Sequence, residues 1–282
     1  MANLYSTDPP TLELSLVSFW DVLGYQQMLS GKTLEQQQAL LVELKGLLQD
    51  AYEAYSRKNA REENFWQAKT FTDNIVMGVP LSRLGHGEYA IGITFPRLQY
   101  TQLFMAVSGY FIRGGISLGP FYMDDDIVFG SALLEAVYLE KQANFPRVLL
   151  SEAVAQHVAG FTNLYADHAS NPSTVVLMKD EDGSTFINYL DFGYDYDTEM
   201  LSEYLDPSMG RPGPDEYPTI EKHKQAVLRE LSKDFGQEEE KIKAKYAWLA
   251  MYHNNFVHIF RLPDDLEIPG YPDQGMTTFL PL

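Results

Sequence analysis

The chain predicts an α+β fold, a mainly antiparallel sheet covered by helices. Three observations point there. Strand-like and helix-like segments alternate from Leu12 to about residue 192. Two pairs of short apolar runs are joined by tight polar turns, Asp73-Asn74 and Asp180-Glu181-Asp182-Gly183, which suit hairpins. After about residue 215 only helical periodicity remains. The expected division is a core domain over 12–192 and a loop with a C-terminal helical extension over 193–282, packed on it.

Taken in order, Leu12–Val22 (LELSLVSFWDV) reads as a buried strand ended by Gly24. Thr33-x-x-Gln36 is a capping box opening a helix to about Arg57, with Leu40, Leu44, Leu47 and Leu48 at helical spacing. Phe65–Thr72 and Ile75–Pro80 are the first hairpin. Gly87–Tyr110 is a helix with Pro96 inside it, and Phe111–Met123 (FIRGGISLGPFYM) a glycine-rich strand. Gly130–Gln142 is an amphipathic helix, Arg147–Ser151 a strand and Glu152–Ala159 a helix. Ser173–Met178 and Thr185–Leu190 form the second hairpin, Tyr194–Pro218 a polar loop, and Thr219–Phe235 and Gln237–Arg261 the closing helices.

Composition narrows the function. The 282 residues are 45% hydrophobic and 21% charged, an ordinary globular balance. No run approaches the ~18–20 apolar residues of a membrane span, and MANLYSTDPP lacks the basic start and apolar core of a signal peptide, so a cytoplasmic protein is expected. There is no cysteine, hence no disulfide and no thiolate metal site. A net charge of −18 opposes binding to nucleic acid or anionic lipid. An acidic protein that handles phosphates needs counter-charge, and divalent metal held by carboxylates supplies it.

Two carboxylates stand out. Asp21 ends an apolar strand in Phe19-Trp20-Asp21-Val22-Leu23-Gly24-Tyr25, where an unpaired buried carboxylate is costly. The glycine after it lets the chain turn sharply, so that N–H groups from Val22 to Tyr25 can face an anion. Asp73 sits at a hairpin tip in Lys69-Thr70-Phe71-Thr72-Asp73-Asn74. If the strands are neighbours, two oxygen donors converge at one sheet edge and suit Mg²⁺ or Mn²⁺ shared with substrate phosphates. The Asp124-Asp125-Asp126 run reads instead as a solvated turn, and the stripe Tyr246, Trp248, Tyr252, Phe256 as core or dimer contact.

In this order the motifs resemble the class III nucleotide cyclases, whose catalytic domain is ferredoxin-like. Phe19-Trp20-Asp21-Val22-Leu23-Gly24 matches their F-x-D-x-x-G strand, and Lys69-Thr70-Phe71-Thr72-Asp73 their K/E-T-x-G-D hairpin, with Thr72 for the glycine. Arg113-Gly114-Gly115-Ile116-Ser117-Leu118-Gly119 matches R-x-G-I-x-x-G. Phe129-Gly130 through Glu140 matches the helix that follows, but Leu134 and Tyr138 replace the Asn and Arg of purine cyclases, and Ile127 their polar base-reading residue. These departures, with the tail Lys245–Asn254, are similar to the pyrimidine cyclases of the bacterial Pycsar anti-phage system.

The resemblance implies a homodimer that converts UTP or CTP to the 3′,5′-cyclic mononucleotide and pyrophosphate, with a separate effector sensing the product. It implies two ions, Mn²⁺ or Mg²⁺, on Asp21, Asp73 and the Val22 carbonyl. Substrate contacts are expected from Val22, Leu23, Gly24, Tyr25, Lys69 and Arg113, the guanidinium on the triphosphate. Lys69 only donates hydrogen bonds, which favours uracil O4 over the cytosine amine, hence UTP over CTP. Ile127, Leu134 and Tyr138 would narrow the base pocket. The competing readings are a degenerate cyclase domain that binds nucleotide as a regulatory module, and a palm-type cyclic-oligonucleotide synthase. Against the last, Asp73-Asn74 lacks the paired acids of that turn.

Overall fold

A computed structural model describes residues 4–58, 66–84, 88–161, 164, 171, 173–198, 216–236, 239–273 and 275–279. The chain runs β1 (Glu13–Val22), α1 (Tyr25–Leu29), α2 (Leu34–Lys58), β2 (Gln67–Phe71), β3 (Asn74–Pro80), α3 (Leu81–Leu84) and α4 (Glu88–Val107). It continues through β4 (Ile112–Met123), β5 (Val128–Phe129), α5 (Ser131–Gln142), β6 (Val148–Leu150), α6 (Glu152–Ala159), α7 (Ser173–Val176), β7 (Leu177–Lys179) and β8 (Thr185–Ile187). It ends with α8 (Tyr189–Thr198), α9 (Pro218–Leu231), α10 (Glu239–Ile259) and β9 (Thr277–Thr278).

The architecture is α+β. The sheet order is β2-β3-β1-β4-β6-β8-β7-β9, with β5 on β4, and among the described residues only β4 and β6 pair in parallel. Side chains alternate across β1, as the pleat requires. Leu16, Trp20 and Val22 enter the main core, while Val17 and Phe19 join Phe121, Ala132 and Ala136 in a smaller cluster under α5. That helix lies close because β4 carries Gly115; a Cβ there would strike the Ala136 carbonyl and Leu139. Small residues on both sides thus fix α5, and with it Glu140, against the end of β4.

The helix starts follow local chemistry. The capping box at α2 forms in both directions, Thr33 N–H to Gln36 Oε1 at 3.0 Å and Gln36 N–H to Thr33 Oγ1 at 3.4 Å. Ser173–Val176, expected as strand from its β-branched run, is a helical turn instead. Asn171 takes the Ser173 N–H on Oδ1 at 2.9 Å and the Thr174 N–H on its carbonyl at 2.9 Å, and this cap outweighs propensity. The loop expected from Tyr194 begins later, because α8 runs to Thr198; most of the rest lies outside the described residues. Asp197 on α8 accepts the Thr219 and Ile220 N–H groups at 2.9 and 3.3 Å, capping α9 from a distance.

The C-terminal helices share the main core. Trp248, Leu249, Tyr252 and Phe256 are buried in it. Trp248 Nε1 donates to Asp180 at 2.9 Å and the Tyr252 hydroxyl to Asn188 at 2.7 Å, so α10 is tied to both ends of the β7–β8 hairpin. Beyond α10, β9 adds to the sheet edge beside β7. Among the described residues no helix is long and apolar enough to cross a membrane.

Candidate functional site

Asp21 is the last-but-one residue of the central strand. The register sets it opposite Asn74 of β3 on one side and Arg113 of β4 on the other. The β2–β3 hairpin closes through Thr72 and Asp73, and Thr72 adopts a left-handed φ of 56°, the conformation for which the matching motif uses glycine. Its hydroxyl repays part of that strain by donating to Asp73 Oδ1 at 2.8 Å, where Asn74 Nδ2 also donates at 3.1 Å. The Val22 N–H donates to the Asp73 carbonyl at 3.1 Å, pinning the hairpin tip to the end of β1. The Asp73 carboxyl is thereby close enough to act on that of Asp21.

The charges around them do not balance. Arg113 Nε donates to Asp21 Oδ2 at 2.9 Å, and Glu140 Oε1 lies 2.7 Å from the same nitrogen. One N–H serves one acceptor well, so buried Glu140 Oε1 is ion-paired without a hydrogen bond. Burial pushes the Asp21 carboxyl above its ordinary range; Arg113 pulls it back and Asp73 pushes it up again. Glu140 is raised by burial, against the pull of Arg113. Lys245 on α10 is lowered by burial first and by the Arg113 charge second.

Asp21, Asp73 and Arg113 border a cavity of about 1030 Å³. Val22, Leu23, Gly24 and Tyr25 line its near side, so seven of the eight expected site residues meet at one place. The eighth, Lys69, does not line it: its Nζ donates to the Asp125 carbonyl at 2.6 Å, across the β4–β5 turn. The expected N–H cradle is also placed differently. Val22 N–H is spent on Asp73, and Leu23 N–H on the Phe111 carbonyl at 2.8 Å. Gly24, at φ 78°, then turns the chain into α1, whose first-turn amides have no side-chain cap and no carbonyl within the helix.

Ile127, Leu134 and Tyr138 stand outside this cavity and are 50%, 72% and 61% exposed. The Asp124 turn is capped locally, Oδ1 accepting the Asp126 and Ile127 N–H groups at 2.9 and 2.8 Å. Among the described residues no group of three or more His, Cys, Asp or Glu is placed to hold a metal. The donor set available to one is the Asp21–Asp73 pair with nearby backbone carbonyls. Asp21 and Asp73 are neighbouring, half-buried carboxylates, and Asp21 shares its one guanidinium with Glu140, so the pair fits a divalent cation by charge and by hard oxygen chemistry.

No protein-family model matches the chain, and no curated protein matches it. Among solved structures the chain is similar to the adenylyl cyclase CyaB from P. aeruginosa, at 15% identity and a TM-score of 0.45, over 62% of this chain and 92% of that one. It is also similar to an adenylate/guanylate cyclase/hydrolase from Silicibacter pomeroyi, at 17% identity and a TM-score of 0.38, over 55% of this chain and 83% of that one.

Sequence reasoning gave no place in the site to the far wall of the cavity, formed by α9 and α10 with Arg229, Lys233, Lys245 and Tyr246; Tyr246 was expected as core or dimer contact, and Lys245 entered only through the tail that carried the resemblance. A signal for Lys245 was present. Ile242, Lys245, Leu249, Tyr252 and Phe256 follow a 3-4-3-4 spacing, which sets a lysine within an otherwise apolar stripe.

Proposed function

We propose that the chain is a nucleotide cyclase of the class III type, acting on a pyrimidine triphosphate, UTP in preference to CTP. The observation that carries the reading is the Asp21–Asp73 pair beside Arg113, at the edge of a cavity of nucleotide size. The motifs around these residues, matching in order along the chain, name the reaction. The substrate 3′-oxygen attacks its own α-phosphorus, the bond to the bridging oxygen of the β-phosphate breaks, and pyrophosphate leaves.

Asp21 and Asp73, with the Val22 carbonyl, are the residues that would hold Mn²⁺ or Mg²⁺. Ions there supply acidification of the hydroxyl and neutralisation of phosphate charge. Arg113 spends only Nε on Asp21, and its two terminal amino groups make no hydrogen bond within the described chain. They are free to grip phosphate oxygens as a pair. Burial and the Asp73 charge oppose ionisation of Asp21, so the pair is short of positive charge until a cation or a phosphate-bound ion arrives.

Ile127, Leu134 and Tyr138 support a homodimer. Leu134 and Tyr138 are one turn apart on α5, so they share a face, and with Phe129 they leave an apolar surface open. A second copy covering that face would bring these residues and Lys69 towards a cavity they do not reach within one chain. A role in phage defence, through an effector that senses cyclic UMP or cyclic CMP, is supported by the sequence resemblance.

Leu134 and Tyr138, standing where purine cyclases carry Asn and Arg, also favour a second reading: a module that binds nucleotide without turning it over. Incubation of the purified chain with each nucleoside triphosphate and Mn²⁺ separates the two. Pyrophosphate with cyclic UMP or cyclic CMP supports the cyclase. Tight binding without product supports the module, and linear or cyclic oligonucleotides would overturn both.

A further inference from the structure

Across the whole chain acids outnumber bases, 39 to 21. Around the Asp21 cavity the ratio reverses: Lys32, Arg113, Arg229, Lys233 and Lys245 face four acids, Asp21, Asp73, Glu43 and Glu230. A cavity that gathers cations in so acidic a protein is built for an anion. Two of these cations are already engaged, Arg113 with Asp21 and Glu140, and Lys233 with Glu230 at 2.6 Å.

Lys245 is different. It is half-buried, lies near the Arg113 guanidinium, and makes no hydrogen bond or ion pair with the described residues. A partly desolvated ammonium beside another cation is an unfavourable placement that an incoming anion relieves. The helix carrying it cannot swing away. Its neighbour Tyr246 packs edge-on against Phe111 and stacks on Phe235, and one turn further Trp248 and Leu249 are locked into the core. The position is held rigidly; the Asp21 and Glu140 carboxylates offset part of its charge from a distance, and burial with the Arg113 and Lys241 charges outweighs them.

We propose that Lys245 binds the polyphosphate tail of the substrate, opposite Asp21 and Asp73, so that the C-terminal helices form one wall of the reaction site. The proposal rests on the cyclase reading for its substrate, but its chemistry, a lysine and a guanidinium converging on a polyphosphate, can be tested apart from turnover. Arg229 and Lys233, exposed at and just beyond the C-terminal end of α9, draw the same anion in from the rim.

The test is calorimetric titration of the full chain with inorganic tripolyphosphate and Mg²⁺, alongside steady-state kinetics. Lys245→Ala is expected to weaken tripolyphosphate at least tenfold and to raise KM for the nucleotide. Lys245→Arg is expected to keep affinity within about threefold, and Arg229→Ala to cost less than Lys245→Ala, because a rim charge is screened. Thermal stability of Lys245→Ala is expected to hold or rise, since an unpaired cation is removed. A folded Lys245→Ala protein with undiminished tripolyphosphate affinity overturns the proposal. Lys245-dependent binding of tripolyphosphate by a chain that forms no cyclic product would sink the cyclase reading and leave this site standing.

Discussion

Two arginines, 34 positions apart, sit in opposite electrostatic situations. Arg147 is 2% exposed, forms ion pairs with Asp180 and Asp182, and has Trp248 hydrogen-bonded to the same Asp180. Partial burial pushes the Asp182 carboxyl up, but hydrogen bonds from Arg147 and Ser184, helped by the Arg147 charge, hold it down at about 2. Arg113 is 29% exposed, and its single engaged nitrogen is contested by Asp21 and Glu140, with Asp73 and an unpaired Lys245 close by. Charges that only hold a fold together are matched within the fold. Charges left over at a cavity edge are matched by what enters it.

Loss of either aspartate tests that contrast most severely. Asp21→Asn or Asp73→Asn is expected to lower turnover by at least ~10³-fold, about 4 kcal/mol of transition-state stabilisation, with the thermal midpoint little changed. Product formation within a factor of ten of wild type would remove the pair from the mechanism. The arginines should respond in the opposite sense. Arg147→Met strands buried Asp180 and is expected to cost about 3–5 kcal/mol in denaturant titration. Arg113→Met also leaves buried Glu140 without its cation, but Arg113 itself is partly exposed, so it should cost less stability than Arg147→Met while cutting activity. Equal losses of stability would show that the two sites are both structural.

A third polar cluster lies between these extremes. His223 and His253 are buried with their Nδ1 atoms 3.0 Å apart; His223 Nε2 meets the Tyr189 hydroxyl at 2.8 Å and His253 Nε2 the Leu266 carbonyl at 3.0 Å. One neutral ring donates to the other, and a proton on both would set two donors face to face. Burial lowers His253 to about 4 from its ordinary value of 6.5, and burial and His253 lower His223. The unfolded chain therefore takes up protons that the folded one refuses. The resulting stability is present above pH 6.5 and is lost as the pH falls towards 4, by an amount on the order of 3 kcal/mol for His253. His253→Asn should flatten the acid limb of a stability–pH curve; an unchanged slope would show that the pair does not set it.

The smallest effect belongs to the hairpin tip. Thr72→Gly relieves a left-handed β-branched residue, and relief less the flexibility of glycine leaves roughly 0.5–1 kcal/mol of stabilisation. It also removes the hydroxyl on Asp73 Oδ1, so metal affinity is expected to drop a few-fold while the melting temperature rises. A parallel rise in both would assign the hydroxyl no part in holding Asp73.

What the chain alone determined is the part written in local patterns. Alternation marked β1, the capping box marked α2, and the turn chemistry at Thr72–Asn74 marked the hairpin, which singled out Asp21 and Asp73; their meeting depended on β1 and β3 being neighbours, which the fold decides. Tertiary structure alone decided which amides near Gly24 remain open, because Phe111 and Asp73 are distant in sequence from the groups they bind. It decided that Lys69 leans on the Asp125 turn, and that Ile127, Leu134 and Tyr138 stay exposed within one chain. It also brought Lys245 to Arg113 and Asp21, both more than a hundred positions away in sequence. The physical reason is range. Propensity and capping act within a few residues, whereas the field at a site sums charges from every strand and helix packed around it.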